Sequence, residues 1–491
     1  MRFIFVLAVF FSLIADPNAA TAQAPGLIRR DTTIRSFDGR ETRGEVLELT
    51  VPERHARPLN KLKVGALRLP ATTATPGKPI VFLMGGPGIP GSVMTPIPPY
   101  FTLFQKLREL GDVIIVDQRG IGLSTPHLDC NAKGSLPADA FVSTARLVAF
   151  LRDQVAICAA VNRSRKIEPT AYNTVESAHD VDALRKALKL DKIDILAFSY
   201  GTRWALAIAD RHPASVGRMV LQGVNGPGLV AKRPSPVARK LSRITTLLKA
   251  DSAWSPATDL AMSARNARAR LKTSPAIISI TDKRAGRETQ VTIGKEGFDA
   301  IVALNLDDLR LPALITSVAQ GDDRLLTRFV EAGWNGLTTS PVALMARAVN
   351  CAADRPQSRW TLIESESTTA PFGEPIDNAF LRSRFCASVG FIGKTTEFAQ
   401  PLRTSIPTLL LTGALDATNP IENANDVALR LTNSISLEIG NAAHEALPIT
   451  PVQEAIVDFL KGVNLRGRTL SAPVPHFPAL AEALQAPARP R

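Results

Sequence analysis

The chain has little of what several protein classes depend on. Its 491 residues include four cysteines and six histidines, and neither type is spaced as in a zinc site. Heptads, solenoid repeats and the phosphate loop that ends in Gly-Lys-Ser/Thr are absent, and no apolar run is long enough to cross a bilayer as a helix. Only three tyrosines occur, and basic and aromatic residues do not interleave, which argues against nucleic-acid binding.

The composition suits a large folded chain. Hydrophobic residues make up 45% of the sequence and charged residues 21%, enough for a sizeable core. One domain with a large insertion, or two domains, fits the length. The formal net charge of +13 makes nucleic acids, anionic envelope surfaces and acidic substrates the partners to consider.

Residues 1–24 have the order of a secretory signal peptide. Met1 and Arg2 precede a mainly apolar run over 3–14, and small residues offer cleavage after Ala22 or Ala24. That run is too short for a membrane-spanning helix, which disfavours an uncleaved anchor. We expect an exported protein, either periplasmic or secreted.

The four cysteines are Cys130, Cys158, Cys351 and Cys386. An even number in an exported chain favours disulfides over thiol chemistry or metal binding. Three pairings are possible, and the shorter loops favour joining Cys130 to Cys158 and Cys351 to Cys386.

Short runs of Val, Ile and Leu predict buried parallel strands over 80–84, 113–116, 193–198, 219–221 and 408–412. Helical patterns lie between them, including one that starts at Asn173 and one over about 200–212. This alternation predicts an α/β fold with a mainly parallel sheet. We assign 25–225 and 406–465 to the sheet domain, 226–405 to a mostly helical cap insertion and 466–491 to a proline-rich, extended tail.

Ser199 follows an apolar strand and precedes a helix, with Ala197 and Gly201 two residues away on either side. A tight strand-to-helix turn of this kind exposes a serine above the sheet, and it needs small neighbours because bulky ones would clash. The usual pattern has Gly where Ala197 stands. A serine at a strand end is also a common turn residue, so other elements must support a nucleophile.

Gly85-Gly86-Pro87-Gly88 follows the predicted strand 80–84. The backbone N–H of Gly86, together with that of Tyr200, would form a two-donor oxyanion hole. The alternative is a plain glycine turn. A third motif, 117–124, also ends a strand, and we expect Asp117 and Arg119 to pair and to brace the loops above the sheet, with a solvated turn as the alternative.

A serine nucleophile needs a base, and position selects one of the six histidines. His444 lies on a loop between a predicted strand over 435–439 and a predicted helix over 451–461. Asp416 follows the preceding strand. The order Ser199, Asp416, His444 is that of an α/β-hydrolase. His179 lies inside a predicted helix, His212 ends one and His476 belongs to the tail, so we expect none of them to be the base.

These motifs resemble the secreted prolyl aminopeptidase and tripeptidyl aminopeptidase-like branch of the α/β-hydrolases. The resemblance rests on the motifs at 85–88, 117–124 and 198–201 and on the Asp416 and His444 loops, and it covers about 30–225 and 406–462. Cys351, followed by Ala-Ala-Asp, looks like the cysteine site of exported members. Family members often have a polar residue at Met84, Gly at Ala197, Asp at Gln222 and a glycine-rich stretch at 441–443.

The resemblance implies an exported serine hydrolase that needs no cofactor or metal and removes residues from the N-terminus of short peptides. Acidic groups in the cap would hold the free α-amino group, and the sequence offers six candidates: Glu296, Asp307, Asp308, Asp322, Asp323 and Glu331. The alternatives are an esterase or amidase that acts on small acyl compounds with the same triad, and a binding protein that has lost catalysis. The oligomeric state stays open.

The positive charge is concentrated in one stretch of the insertion. Residues 232–287 contain 13 Lys and Arg but 3 Asp. A solvated helical face is the simpler interpretation. The sharper hypothesis is that a basic cap steers acidic peptides, or the protein itself, toward an anionic surface.

Overall fold

The computed structural model describes residues 26–132, 134–392, 398 and 402–485. Twelve strands occur among them: β1 Leu27–Arg35, β2 Glu41–Pro52, β3 Lys61–Leu69, β4 Ile80–Leu83, β5 Val113–Val116, β6 Ile193–Phe198, β7 Val216–Gln222, β8 Ala276–Asp282, β9 Arg287–Ile293, β10 Thr408–Gly413, β11 Ser434–Gly440 and β12 Leu470–Ser471.

The same part of the chain contains fifteen helices: α1 Pro98–Arg108, α2 Thr144–Ser164, α3 Thr174–Ala187, α4 Tyr200–Arg211, α5 Ser235–Lys249, α6 Leu260–Thr273, α7 Lys295–Leu304, α8 Leu311–Ala319, α9 Arg324–Thr339, α10 Leu344–Ala352, α11 Gln357–Ser367, α12 Ser383–Val389, α13 Ile421–Ala428, α14 Thr450–Lys461 and α15 Leu480–Gln485. Short 3-10 segments lie at Ser92–Met94, Ala140–Val142, Pro169–Ala171, Pro213–Ser215 and Ile376–Leu381.

Ten strands form one sheet in the order β1-β2-β3-β5-β4-β6-β7-β10-β11-β12. The strands β1, β2 and β3 pair antiparallel, as does β3 with β5, while every pair from β5 to β12 is parallel. The mainly parallel sheet of an α/β fold is therefore confirmed, and the antiparallel strands β1 to β3 extend it beyond the strands that the sequence patterns predicted.

The parallel strands are buried on both faces. In β4, Ile80 and Phe82 join the apolar cluster that includes α1 and α14, whereas Val81 and Leu83 join the larger cluster that includes α3 and α4. Successive side chains of a strand point to opposite faces, so a strand with helices on both sides reads as a continuous apolar run. This explains why these strands, unlike β1 to β3, were recognisable from the sequence.

The segment between β7 and β10 contains the helices α5 to α12, as the sequence patterns predicted, and also a hairpin that they missed. The strands β8 and β9 pair antiparallel, for example Ile278 with Val291. Side chains alternate between buried and exposed along β8, because one face packs against the cap and the other faces solvent.

The four cysteines form two disulfides, and their pairing is the one that the shorter loops favoured. Cys130 is joined to Cys158, with the Cα atoms 5.7 Å apart, and links the loop after β5 to α2. Cys351 is joined to Cys386, with the Cα atoms 5.4 Å apart, and links α10 to α12.

The end of the chain departs from the extended tail that we predicted. Residues 470–471 add β12 to the sheet beside β11, and α15 packs against α8 and α9. Leu470, Phe477 and Ala483 are buried and anchor these elements despite the surrounding prolines. The predicted signal peptide, 1–24, lies outside the described residues. Within the described ranges, no helix has the length and apolar character needed to cross a membrane.

Candidate active site

Ser199 sits at a sharp turn between β6 and α4. Its backbone has φ 55° and ψ −121°, a conformation that residues other than glycine rarely adopt, and its N–H donates to the Gln222 carbonyl at 2.8 Å. A Cβ atom at Gly201 would lie 2.0 Å from the Leu83 carbonyl oxygen, and one at Gly85 would lie 2.7 Å from the Ser199 Cβ. The turn therefore requires glycine at 201, while Ala197, inside β6, keeps its methyl group in the core.

The turn brings Ser199 to the histidine and the aspartate that the sequence singled out. The Ser199 Oγ lies 2.9 Å from His444 Nε2, and His444 Nδ1 lies 2.8 Å from Asp416 Oδ2. All three residues are less than 9% exposed. They follow the ends of β6, β10 and β11, which lie at one edge of the sheet because these strands are parallel.

The Asp416 carboxylate is held by its own loop. Its Oδ1 accepts hydrogen bonds from the backbone N–H groups of Thr418 and Asn419, both at 2.8 Å, while Oδ2 faces His444. Two backbone donors on one oxygen fix the rotation of the carboxylate. The other oxygen is thereby aimed at the imidazole.

The loop that carries His444 is held by Gln222, at the end of β7. The Gln222 side chain donates to the His444 carbonyl at 2.9 Å and accepts from the Ala446 N–H at 3.4 Å. Asn441, earlier in the loop, has φ 58°, a conformation in which asparagine substitutes for glycine at low cost. The hydrogen bonds of Gln222 and the positive φ of Asn441 account for two departures from the family pattern, at 222 and at 441.

The glycine loop lies beside Ser199, as expected. Gly86 has φ 111°, and a Cβ atom there would lie 2.8 Å from the Gly88 nitrogen. The Tyr200 hydroxyl accepts from the Gln118 side chain at 2.7 Å, so the Tyr200 side chain is buried beneath the turn. The oxyanion role of the Gly86 and Tyr200 N–H groups stays a prediction.

The expected pair between Asp117 and Arg119 was wrong, although both residues brace the loops. Asp117 accepts from the Ser92 N–H and hydroxyl and from the Leu123 N–H, at 2.6 to 2.9 Å. Arg119 instead forms a buried, two-pronged ion pair with Asp180 of α3, at 2.6 and 2.7 Å. With one residue between them, the two side chains leave the loop in different directions and find partners in different elements.

His55, His179 and His212 form a group of their own. His179 Nδ1 lies 2.9 Å from His212 Nε2, and the His55 and His179 rings are 5.2 Å apart. Burial, then the neighbouring His212, lowers the pKa of His179 to about 4. These side chains bond to one another and to Asp180 and Asp182, and not to Ser199.

A cavity opens between the Asp416 loop and the cap. It is lined by Thr418, by Lys232 and by three cap carboxylates, Asp299, Glu374 and Asp377. Asp299 lies 2.8 Å from Arg268 and Glu374 lies 2.9 Å from Arg382. Asp377 makes no ion pair with any residue that the structure describes. Burial raises the pKa of Asp299 to about 7.

The six cap acids suggested by the sequence lie apart from this cavity lining. Five already serve structural contacts: Asp308 pairs with Arg310, Asp322 with Arg324 and Asp323 with Arg270, while Glu296 and Glu331 accept from backbone N–H groups. The sixth, Asp307, pairs with Lys240 at 2.6 Å and is buried. Burial alone would raise the pKa of Asp307, but the Lys240 ammonium and the nearby His444 lower it.

The sequence reasoning missed two residues next to the triad, Asn419 and Lys232. Asn419 is fully buried and lies 3.5 Å from the Ser199 Oγ through its Nδ2. The sequence signal that could have indicated Asn419 was its position three residues after Asp416. Nothing in the sequence linked Lys232 to the site. Among the residues described, no cluster of three or more His, Cys, Asp or Glu is arranged to hold a metal ion.

Curated proteins match parts of this chain. Serine protease Hip1 of Mycobacterium tuberculosis is 33% identical over 187 residues, which cover 37% of this chain and 36% of that protein. Proline iminopeptidase of Xylella fastidiosa is 26% identical over 153 residues, or 30% of this chain and 33% of that protein. The matched stretches thus span about a third of the length of these curated relatives.

Among solved structures, a thermophilic esterase from Thermogutta terrifontis matches with a TM-score of 0.36 and 15% identity, over 84% of this chain and 98% of that chain. A family model described as the alpha/beta hydrolase fold matches residues 78–449, well over half of the chain. The chain therefore belongs to the alpha/beta hydrolase fold family.

Proposed function

We propose that the protein is a serine hydrolase with Ser199 as nucleophile, His444 as general base and Asp416 as the group that orients the imidazole. The observation that carries this proposal is the continuous pair of contacts from Ser199 Oγ to His444 Nε2 and from His444 Nδ1 to Asp416 Oδ2. A serine hydroxyl is a poor nucleophile until a base accepts its proton, and this arrangement supplies the base and holds it in position.

In the acylation step, His444 Nε2 takes the Ser199 proton while Oγ attacks the carbonyl carbon of the substrate. The tetrahedral oxyanion is stabilised by the N–H groups of Gly86 and Tyr200. The C–N bond then breaks, and the imidazolium returns its proton to the leaving amine. Water repeats the sequence on the acyl-enzyme, releasing the acid and free Ser199.

We propose short peptides with a free N-terminus as the substrates. Two kinds of support exist: relatives named as a serine protease and a proline iminopeptidase, and acidic side chains in the cap above the triad loops. Asp377 lines the cavity next to the Asp416 loop without an ion-pair partner among the described residues, and Asp307 lies close enough to His444 for that histidine to lower the pKa of Asp307. The Asp377 carboxylate can receive a substrate ammonium directly, whereas Asp307 would have to exchange its partner Lys240 for the substrate.

A substrate panel tests this specificity. Aminoacyl and tripeptidyl anilides with free and with acetylated N-termini are compared with short-chain nitrophenyl esters. We expect the free peptides to be cleaved and acetylation to lower kcat/KM at least tenfold. Equal rates on free and blocked peptides, or turnover of esters alone, would instead favour an esterase or amidase with the same triad.

Three variants separate catalysis from binding. Ser199→Ala should abolish turnover while the fold is retained, and full activity of the purified variant would contradict the assignment. Asp377→Asn and Asp307→Asn should raise KM for free peptides more than for blocked ones at whichever position binds the amine. Glu331→Gln is the matched control, because Glu331 is a cap acid of α9 that accepts from the Thr281 N–H and is not among the residues that line the cavity.

We further propose that the protein is exported. The signal-like order of residues 1–24 and the two disulfides support this, since disulfides persist in oxidising compartments. N-terminal sequencing of the protein recovered from the periplasm or the medium is the test. A new N-terminus at residue 23 or 25 is expected, and an intact Met1 in a cytosolic fraction would contradict export.

A further inference from the structure

A chain of hydrogen bonds runs from the cap to the nucleophile through Lys232 and Asn419. The Lys232 Nζ donates to the Asn419 Oδ1 at 2.8 Å and to the Thr418 carbonyl at 2.9 Å. The Asn419 Nδ2 donates to the Gly223 carbonyl at 2.9 Å and lies 3.5 Å from the Ser199 Oγ. One amide thus connects the loop after β10 with the turn after β7 and with the nucleophile.

Lys232 is itself held from the cap. Its backbone N–H donates to the Asn378 Oδ1 at 2.7 Å, and its carbonyl accepts from the Asn378 Nδ2 at 2.9 Å. Asn378 is fully buried in the 3-10 segment Ile376–Leu381. A side-chain amide that satisfies both backbone groups of one residue fixes that residue in place. The Lys232 side chain therefore reaches the Asp416 loop from a backbone that is fixed in place.

Both contacts of the ammonium fall on the two residues whose N–H groups hold Asp416. Thr418 and Asn419 donate to the Asp416 Oδ1, and Lys232 binds the carbonyl of the first and the side chain of the second. The cation consequently acts on the Asp416 carboxylate in two ways. It fixes the loop geometry, and its positive charge attracts the Asp416 carboxylate.

We propose that Lys232, acting through Asn419, is a positioning residue of the triad. Its ammonium holds the Asp416 loop and the Ser199 hydroxyl in position. Its positive charge also disfavours protonation of His444, which keeps the base form available at lower pH. This inference rests on the proposed triad. Neither residue touches the substrate carbonyl in this account, so both act through Asp416 and Ser199.

The charged groups around Lys232 come from several elements. Asp377 on the 3-10 segment and Asp416 stabilise the ammonium, while Arg359 of α11 and Arg203 of α4 oppose it. The neighbouring Arg233, with Asp299 and Glu374, lines the same cavity. Burial lowers the pKa of Lys232 to about 8, and the positive charge is accordingly present at neutral pH and lost as the pH rises through that value.

The test measures the second-order rate of inactivation by a fluorophosphonate between pH 5 and 10. In this reaction the Ser199 Oγ forms a bond to phosphorus, fluoride leaves, and the Ser199 proton passes to His444. No knowledge of the natural substrate is needed. The acid limb of the profile reports protonation of the base in the free protein.

In Lys232→Met we expect the rate at pH 7 to fall by about tenfold and the acid limb to move up by about 0.5 pH unit, since the opposing charge is gone. Lys232→Arg should keep the acid limb of the wild type and retain its rate above pH 8, where the lysine loses its charge. Asn419→Ala should lower the rate, and adding Lys232→Met to it should cost little more, because the two act in one chain. Lys249→Met, at the exposed end of α5, is the matched control.

Thermal unfolding of each variant reports folding, and Lys232→Gln replaces Lys232→Met if the latter does not fold. A slower rate with an unmoved acid limb would reduce Lys232 to a structural role and overturn the proposal, as would fully additive losses. If the folded wild type is not labelled, or if Ser199→Ala is labelled, the proposed triad is contradicted, and so is this inference. A labelled wild type whose acid limb is unchanged in Lys232→Met contradicts the inference alone.

Discussion

At the scale of single residues, the backbone is strained where the proposed nucleophile sits. Ser199 holds a positive φ, a conformation that costs about 1 to 3 kcal/mol, and it persists because strands on both sides leave no alternative. Its immediate neighbours are correspondingly intolerant of added atoms. Gly201 is the neighbour at which an added Cβ atom would come closest to another atom.

We expect Gly201→Ala to destabilise the protein by roughly 2 to 4 kcal/mol, because the new Cβ would lie 2.0 Å from the Leu83 carbonyl oxygen and α4 cannot move away from β4 cheaply. Denaturant unfolding measures the change. Gly286→Ala, in the β8–β9 turn where nothing lies within 4 Å of the added atom, should cost only about 1 kcal/mol from its positive φ. Equal costs at both positions would contradict the close packing of the turn.

The buried Arg119–Asp180 pair gives a pH-dependent prediction. Burial would raise the pKa of Asp180, but Arg119 lowers it below its usual value, so the pair contributes stability above about pH 4 that is lost as the pH falls through the folded-state pKa. Asp180→Asn leaves Arg119 buried without its counter-charge and should cost about 3 to 5 kcal/mol at pH 7.

The measurement is the unfolding midpoint in denaturant between pH 3 and 7. The variant should lose less stability on acidification than the wild type does. Asp38→Asn, which removes an exposed partner of Arg40, is the control and should leave the midpoint where it is. Parallel acid profiles for Asp180→Asn and the wild type would exclude this role for Asp180.

At the scale of elements, the disulfide between α10 and α12 is the main covalent constraint within the cap. Replacing Cys351 and Cys386 by serine should destabilise the cap by about 2 to 4 kcal/mol, because a loop with a sequence separation of 35 is released in the unfolded chain. Limited proteolysis and thermal unfolding of the double variant, compared with the reduced wild type, measure the effect. Unchanged resistance in both would contradict a stabilising role.

The elements also show which parts of the structure a single sequence reveals. The central strands were predictable because burial on both faces leaves unbroken Val, Ile and Leu runs, and α3 was predictable because Asn173 caps it, accepting from the Glu176 N–H at 3.0 Å. The strands β1 to β3 and β8–β9 contain polar and charged residues among the apolar ones and have no unbroken apolar run, which is a weaker signal.

The site divides in the same way. Ser199, Asp416 and His444 stand at strand ends in a recognisable order, so their meeting could be predicted. The partners of Asp117 and Arg119 could not, since they lie in segments 25 and 61 residues away whose packing no local pattern encodes. Lys232 reaches the triad only through the path of the chain after β7, which no local pattern encodes.

At the scale of the whole molecule, the charge excess of residues 232–287 is largely matched by acids from elsewhere in the chain. Six of its basic side chains form ion pairs outside the segment: Arg233 with Glu366, Arg239 with Glu422, Lys240 with Asp307, Arg243 with Glu438, Arg268 with Asp299 and Arg270 with Asp323. The field of the cap is therefore weaker than its composition suggests.

We accordingly expect kcat/KM for an acidic peptide to change less than about threefold between 50 and 500 mM salt, since steering needs charges that are not already neutralised. A neutral peptide of equal length is the control. A tenfold or larger fall for the acidic peptide alone, or retention of the protein on anionic vesicles, would support the steering hypothesis instead.

The most direct test of the triad is labelling by a fluorophosphonate, followed by peptide mapping. We predict one label per chain, on Ser199, with none in a Ser199→Ala variant of unchanged thermal stability and strongly reduced labelling in His444→Ala. Failure of the folded wild type to react, or a label that persists in Ser199→Ala, would contradict the account.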